Sequence, residues 1–433
     1  MNIVVAILIL GIIIIIHEFG HFLLAKKNGI TVTEFSVGMG PRLASFVHKG
    51  TRYSLKLLPF GGSCMMLGED ETVEDEGAFN KKGVWARFSV IIAGAMFNFL
   101  LAFVLALIVL GSQGVDLPKV TEVVKGSPVE QAGIQTGDWV TKVNGQSIHF
   151  DRELGAYFYF HPYSEKTIRV SYKRDGEPYT VDVVPKKINI YRMGFLYDEK
   201  NKEADITQLD PEDALAKAGL TIGDVIVGIN GTSITSDADL SSYIAQNPLS
   251  EQPITITYRR GQDEPVTVTV SPRLADAGYE MGWNFDFASE KVSPLNVIKY
   301  SFYELKYNID YALKGIGYLI TGRVSVKEIS GPVGIVNYVG KVVDESKGSG
   351  LGVTLLSLAQ FCILISANLG VMNLLPIPAL DGGRLVFILI EAICKKPVPR
   401  EKEAMVHMVG MALLMILMVL VLFNDIKNIF TGA

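Results

Sequence analysis

Ile12-Ile13-Ile14-Ile15-Ile16-His17-Glu18-Phe19-Gly20-His21-Phe22-Leu23-Leu24-Ala25 puts two imidazoles and a carboxylate inside a segment apolar enough to lie in a bilayer. On a helix His17 and His21 are about one turn apart and share a face, so both rings can reach one metal ion. Glu18 projects beside them, within reach of a water on that metal. The five-residue pattern alone is a modest signal, because the same spacing also occurs in soluble helices. Membrane context raises its weight. Ionisable side chains at bilayer depth cost several kcal/mol and need a partner, so this cluster calls for a metal or a self-satisfied polar network.

The 433-residue chain is 49% hydrophobic and 20% charged, with a mean hydropathy of +0.30. That composition is part membrane and part aqueous. A net charge of −5 and the lack of a basic cluster interleaved with aromatics argue against a nucleic-acid partner. Cys64, Cys362 and Cys394 are scattered and odd in number, which gives no disulfide framework and no cysteine metal site.

Outward from the opening stretch, residues 1–25 are expected to be a retained first transmembrane helix. No positive charge precedes the apolar run, and Lys26 and Lys27 follow it. Positive charge after the run puts the N-terminus outside and residue 26 in the cytoplasm. His17 then lies about 24 Å along the helix, toward the cytoplasmic face of a hydrocarbon layer about 30 Å thick. Residues 26–87 hold strand-like alternation over 31–60, expected as a membrane-associated β-hairpin region ending at the turn signal Pro59-Phe60-Gly61-Gly62, and then an acidic loop. Lys81, Lys82 and Arg87 mark the cytoplasmic edge of a second span, 88–111. In it Gly94 and Asn98 stand one turn apart, which suits close helix packing with an interhelical hydrogen bond, or contact with a substrate backbone.

From 112 to 290 the chain is polar and repeats itself. Ala132-Gly133-Ile134-Gln135-Thr136-Gly137-Asp138 leading to Asn144-Gly145 recurs as Ala218-Gly219-Leu220-Thr221-Ile222-Gly223-Asp224 leading to Asn230-Gly231. Two copies of one small domain are the simplest cause, divided here at 112–200 and 201–290. In each, Asn-Gly should close a tight hairpin. Residues 291–350 mix tyrosines with lysines and are expected as amphipathic helices along the membrane interface, broken near Pro332.

A third apolar segment, 351–394, is interrupted by Asn373-Leu374-Leu375-Pro376-Ile377-Pro378-Ala379-Leu380-Asp381-Gly382. Freed backbone at membrane depth is tolerated only against protein or a wet cavity, so this break should border a site. A cytoplasmic loop, 395–403, and a fourth span with the C-terminal tail, 404–433, complete the chain. His407 reads as a polar residue at a helix end.

A catalytic zinc takes three protein ligands and keeps one open position. His17 and His21 supply two. Asp381, an isolated carboxylate at matched depth beside a broken helix, is the best third candidate, with Glu391 and Glu69 weaker ones. Glu18 is then placed to take a proton from the attacking water. A peptide bond in a membrane helix must first be unwound, and an edge strand or the extended Asn373–Pro378 segment can hold the opened backbone.

These motifs, in this order, resemble the site-2 protease family of intramembrane zinc metalloproteases. The resemblance covers nearly the whole chain: His17-Glu18-Phe19-Gly20-His21, Gly94-x-x-x-Asn98, two repeats similar to PDZ domains, then Asn373-x-x-Pro376-x-Pro378-x-Leu380-Asp381-Gly382. It implies a polytopic α-helical membrane protein with four transmembrane helices, a membrane-associated β-hairpin region and two periplasmic PDZ domains, small β-barrels with helices. It implies one zinc per chain on His17, His21 and Asp381, with Glu18 as general base. Asn98, Asn373, Pro376, Pro378, Gly61 and Gly62 would meet the unwound substrate. Implied substrates are membrane-anchored: an anti-sigma factor already trimmed by a first protease in an envelope stress response, and remnant signal peptides. The implied place is the bacterial inner membrane, with both termini and the PDZ domains periplasmic and the active site toward the cytoplasm. Two other readings remain. One is a non-catalytic PDZ-bearing membrane adaptor, against which the intact Glu18 counts; the other is a membrane-anchored zinc protease of soluble peptides.

Overall fold

A computed structural model describes residues 2–69, 71–197, 203–285, 289–322 and 331–431. The chain forms two compact units, Met1–Val115 with Ser289–Ala433, and Asp116–Ala288.

Among the described residues of the first unit, four helices are long and apolar enough to cross a membrane: Ile3–Lys27, Val84–Gln113, Leu351–Leu374 and Arg400–Asp425. A helix is what such runs must form in lipid, because it satisfies its own backbone. The first and second spans pack closely at small residues, as helices without a hydrophobic driving force between them do. A Cβ on Gly20 would stand 2.8 Å from the Ala93 carbonyl carbon. Ala102 and Ala106 of the second span, fully buried, meet Ile363 and Ala367 of the third.

The third apolar segment is a span and a half-helix. The span stops at Leu374, and a second helix, Asp381–Cys394, starts at Asp381. Pro376 and Pro378 offer no amide to a helix and push their preceding residues out of helical conformation. The half-helix folds back tightly: a Cβ on Gly383 would lie 2.5 Å from the Ile377 carbonyl oxygen, and one on Gly382 2.5 Å from that of Leu374. Only glycine fits at that approach.

The hairpin strands, Val32–His48 and Thr51–Met66, join through Lys49 and Gly50, both at positive φ as a tight two-residue turn requires. Each strand folds on itself, so residues 32–37 pair with both 62–66 and 52–55. Residues 52–55 run parallel to 34–37 and residues 62–66 antiparallel to them, so the expected turn signal Pro59-Phe60-Gly61-Gly62 lies where the chain reverses. Within Thr51–Met66 this turn joins the two legs, and Gly61 takes φ 84° there. Met39, Leu43, Phe46 and Leu57 are more than half exposed, an apolar surface suited to lipid.

The helix Pro294–Ile320 was expected to lie along the interface, yet its first half packs beside the spans. Phe302 meets Phe103 at 4.5 Å between ring centroids, and Gln360 of the third span donates to Glu304 at 3.0 Å. Its buried stripe, Tyr300, Ser301, Glu304 and Asn308, is the reason. The helix Pro332–Ser346 has its N-terminus capped by Asp425 of the fourth span, which accepts from Gly331 N at 3.0 Å and Gly334 N at 2.9 Å.

The second unit holds the two repeats, each with its own core. In one, Trp139–Val143, Gln146–Ser147, Ile168–Arg174 and Glu177–Val183 form a four-stranded antiparallel sheet. In the other, Val225–Ile229, Thr232–Ser233, Ile254–Arg259 and Val266–Val270 form the same sheet in the same order. The expected Asn-Gly hairpins are present, with Asn144 and Asn230 each at φ 48°. The Asp of each Gly-Asp is a buried anchor: Arg174 grips Asp138, and Arg260 grips Asp224, through two bonds of 2.7 and 2.8 Å in each pair.

A division at residue 200 does not separate the cores. Met193 is buried in the second core, while Met281 and Trp283, beyond the second repeat, are buried in the first. Trp283–Phe285 pairs with Val120–Val123, and Phe195–Tyr197 with Ile206–Leu209. The first repeat is thus completed by chain that follows the second.

Candidate metal centre

His17 and His21 are one turn apart on the first span and buried, 7% and 6% exposed, their Nε2 atoms 3.1 Å apart. Asp381 Oδ2 lies 3.2 Å from His17 Nε2 and 3.3 Å from His21 Nε2. Among the described residues this is the one group of three such side chains whose ligand atoms converge. Three elements position it: the first span supplies the imidazoles, the second makes room, and the start of the half-helix supplies the carboxylate. The room is made at Gly94, where a Cβ would lie 2.6 Å from His17 Cε1.

The atoms fit zinc. His21 Nδ1 lies 2.8 Å from the Val90 carbonyl, which can only accept, so Nδ1 carries the proton and Nε2 presents its lone pair to the site. The Asn98 and Asn373 amides each stand 3.4 Å from His17 Nδ1. If His17 is to ligate through Nε2, its Nδ1–H needs an oxygen there. A half-turn of the Asn98 amide supplies Oδ1, a buried atom with no donor otherwise. Asp381 Oδ2 is likewise buried without a hydrogen-bond donor. Two imidazole lone pairs and a carboxylate oxygen thus converge, a repulsive set that a cation turns into coordination. Ligand atoms of a tetrahedral zinc, about 2.0–2.1 Å from the metal, stand roughly 3.3–3.4 Å apart. The observed edges come within a few tenths of an ångström of that.

Glu18, one residue from His17, accepts a hydrogen bond from Cys64 N at 2.9 Å. That amide belongs to strand 62–66, at the edge of the hairpin sheet, and a Cβ on Gly62 would stand 3.3 Å from Glu18 Cγ. The sheet edge carrying Gly61 and Gly62 therefore borders the general-base candidate. The weaker third-ligand candidates lie elsewhere. Glu391 pairs with Arg87 at 2.5 Å and Glu69 pairs with Arg384, around a cavity of about 530 Å³ that holds none of the three converging groups.

The residue patterns did not mark the Val90 carbonyl, the Cys64 amide or the bond that His407 makes. The first two are backbone groups, which no residue pattern marks. His407 stands near the Asp381 loop, its Nδ1 accepting from Ala379 N at 2.8 Å.

The sequence profile of Peptidase family M50 matches residues 5–417. The zinc metalloprotease RasP of Geobacillus kaustophilus is 33% identical over 444 residues, covering 99% of this chain and 98% of its own. The regulator of sigma-W protease RasP of Bacillus subtilis is 31% identical over 448 residues, 99% of each chain. Among solved structures, the HtrA3 PDZ domain bound to a phage-derived ligand aligns with 21% of this chain and 86% of its own at 21% identity and a TM-score of 0.15, too slight to assign a fold to the repeats. A converging His17, His21 and Asp381, a family profile over nearly the whole length and relatives matched end to end carry one conclusion: the chain belongs to peptidase family M50, the site-2 protease family, and is a zinc metalloendopeptidase.

Proposed function

We propose that the protein cuts single-span membrane proteins within their transmembrane segments, with zinc on His17, His21 and Asp381 and Glu18 as general base. The observation that carries this reading is the convergence of the two Nε2 atoms and Asp381 Oδ2 within a unit that also holds four apolar helices. When bound, zinc supplies a Lewis acid and lowers the pKa of its water toward about 7. Glu18 takes the proton of the attacking water and returns it to the leaving amine. Val90 and Asn98 hold the two imidazoles in the ligating tautomer. The edge strand through Gly61 and Gly62 receives the unwound substrate as an added strand, and Asn373, Pro376 and Pro378 face it from the loop.

The substrates of this reading are an anti-sigma factor after trimming by a first protease, and remnant signal peptides. The name of the Bacillus subtilis relative, a regulator of sigma-W protease, supports the first class. The recurring Gly-Asp and Asn-Gly pattern supports PDZ-type repeats, which would exclude substrates with bulky outer domains. Lys26, Lys27, Lys81, Lys82, Lys395 and Lys396 flank the spans on the side taken as cytoplasmic, which supports a periplasmic position for the repeats.

The test compares a single-span reporter with its outer domain trimmed, the untrimmed form and a soluble casein-like protein. Cleavage of the trimmed form alone supports the reading; cleavage of the soluble protein at the same rate contradicts it. One zinc per chain, lost in Asp381→Ala, separates the enzyme from the adaptor reading.

A further inference from the structure

We infer that His407, on the fourth span, is a positioning residue for Asp381, acting through the backbone amide of Ala379 and resting on the reading of Asp381 as a zinc ligand. Asp381 follows a proline-rich loop whose own backbone bonds are local. Pro376 and Pro378 have no amide to give, and Ala379 sits at φ 78°, where L residues are rarely found. Leu375, Ile377 and Leu380 N donate to loop and helix-end carbonyls nearby. The Ala379 amide instead donates to His407 Nδ1 at 2.8 Å, a bond to a different element 28 residues on.

A backbone N–H can only donate, so Nδ1 must be the acceptor and the neutral ring carries its proton on Nε2. The Phe387 ring, 5.6 Å away between centroids, packs against the imidazole. Gly410, one turn further on the same face, seats the neighbouring residue: a Cβ there would stand 2.6 Å from the Pro378 carbonyl oxygen. Most of the fourth span is exposed, and among the described side chains Gly410 is its one buried residue before Val421. The span therefore meets the loop at two points, His407 on Ala379 and Gly410 on Pro378, two and three residues before Asp381. A carboxylate bound through one oxygen needs its backbone held this way, because a shift of the loop moves Oδ2 off the imidazoles.

The test measures the rate at which zinc leaves the full-length protein in detergent for a chromogenic chelator, together with kcat and KM on the trimmed reporter. His407→Ala should release zinc about 10-fold faster and lower kcat with KM within about 2-fold, the scale of losing an outer-shell support. His407→Asn, whose Oδ1 can take the Ala379 N–H, should recover to within about 3-fold of wild type, and His407→Leu, which fills the space without an acceptor, should not. Wild-type zinc release in both the Ala and Leu variants overturns the inference, as does an Asn variant no better than Leu. If Ala does not fold, the Asn–Leu pair decides by the same criterion. Asp381→Ala distinguishes the two layers. Wild-type zinc retention there removes the ligand reading and this inference with it, whereas zinc loss there beside unchanged His407 variants removes this inference alone.

Discussion

The amide of Cys64 donates to the carboxylate of Glu18 at 2.9 Å, so the edge of the hairpin sheet touches the residue proposed as the general base. Gly62 sits in the same edge, with Cβ room limited by Ser36 O at 3.0 Å and Glu18 Cγ at 3.3 Å. Gly62→Val should therefore push on Glu18 without touching a ligand. We expect kcat to fall about 10- to 100-fold with zinc content unchanged, read by turnover of the trimmed reporter beside metal analysis. Unchanged turnover would disconnect the edge strand from the base.

Gly94→Ala tests the space for the imidazoles. Its new Cβ would lie 2.6 Å from His17 Cε1, nearer than side chains pack, so the rings must move. The cost is about 1–3 kcal/mol of overpacking, and zinc binding should weaken by at least about 10-fold. Metal titration of the folded variant measures it.

Asn98 and Asn373 stand equally far from His17 Nδ1, yet Asn98 is fully buried and Asn373 half-buried. Asn98→Ala should weaken zinc binding about 10-fold, as loss of a ligand's hydrogen-bond partner does. Asn373→Ala, nearer to open space, should act mainly on KM. Equal effects of the two on zinc affinity would contradict the division.

In the second repeat, the Arg260 guanidinium gripping Asp224 holds that carboxyl below its ordinary value. A depressed folded pKa gives stability that is present above the unfolded value, about 3.9, and is lost as pH falls through the folded one. Hydrogen exchange of the full-length protein should show residues 219–260 losing protection as pH drops below about 4. In Asp224→Asn that pH dependence should flatten.

Much of the site was legible because its signals are local. His17, Glu18 and His21 are proposed from one helical period and Asp381 from a proline-broken apolar run, and the structure brings Asp381 Oδ2 to 3.2 and 3.3 Å from the two imidazoles. The repeats were legible because Asn-Gly and Gly-Asp impose turn geometry wherever they occur. The interleaving was not: Trp283–Phe285 pairs with Val120–Val123, about 160 residues earlier, and strand pairing at that separation leaves no local pattern. His407 was hidden for the same reason, since its partner is a backbone amide of another element. The helix Pro294–Ile320 carries the tyrosines and lysines of an interfacial helix, but the buried Glu304 accepts from Asn308 of its own helix and from Gln360 of the third span.

The central claim is that peptide bonds are cut inside the membrane by chemistry that needs Glu18 and zinc. Its most direct test is mass-spectrometric mapping of the cut in a trimmed single-span reporter exposed to wild type, Glu18→Gln and chelator-treated protein in membranes. The account predicts a cut within the apolar segment by wild type alone, with Glu18→Gln keeping its zinc while losing at least about 1000-fold in rate, since both proton transfers run through that carboxylate. A cut outside the apolar segment, or equal cutting by all three preparations, would contradict it.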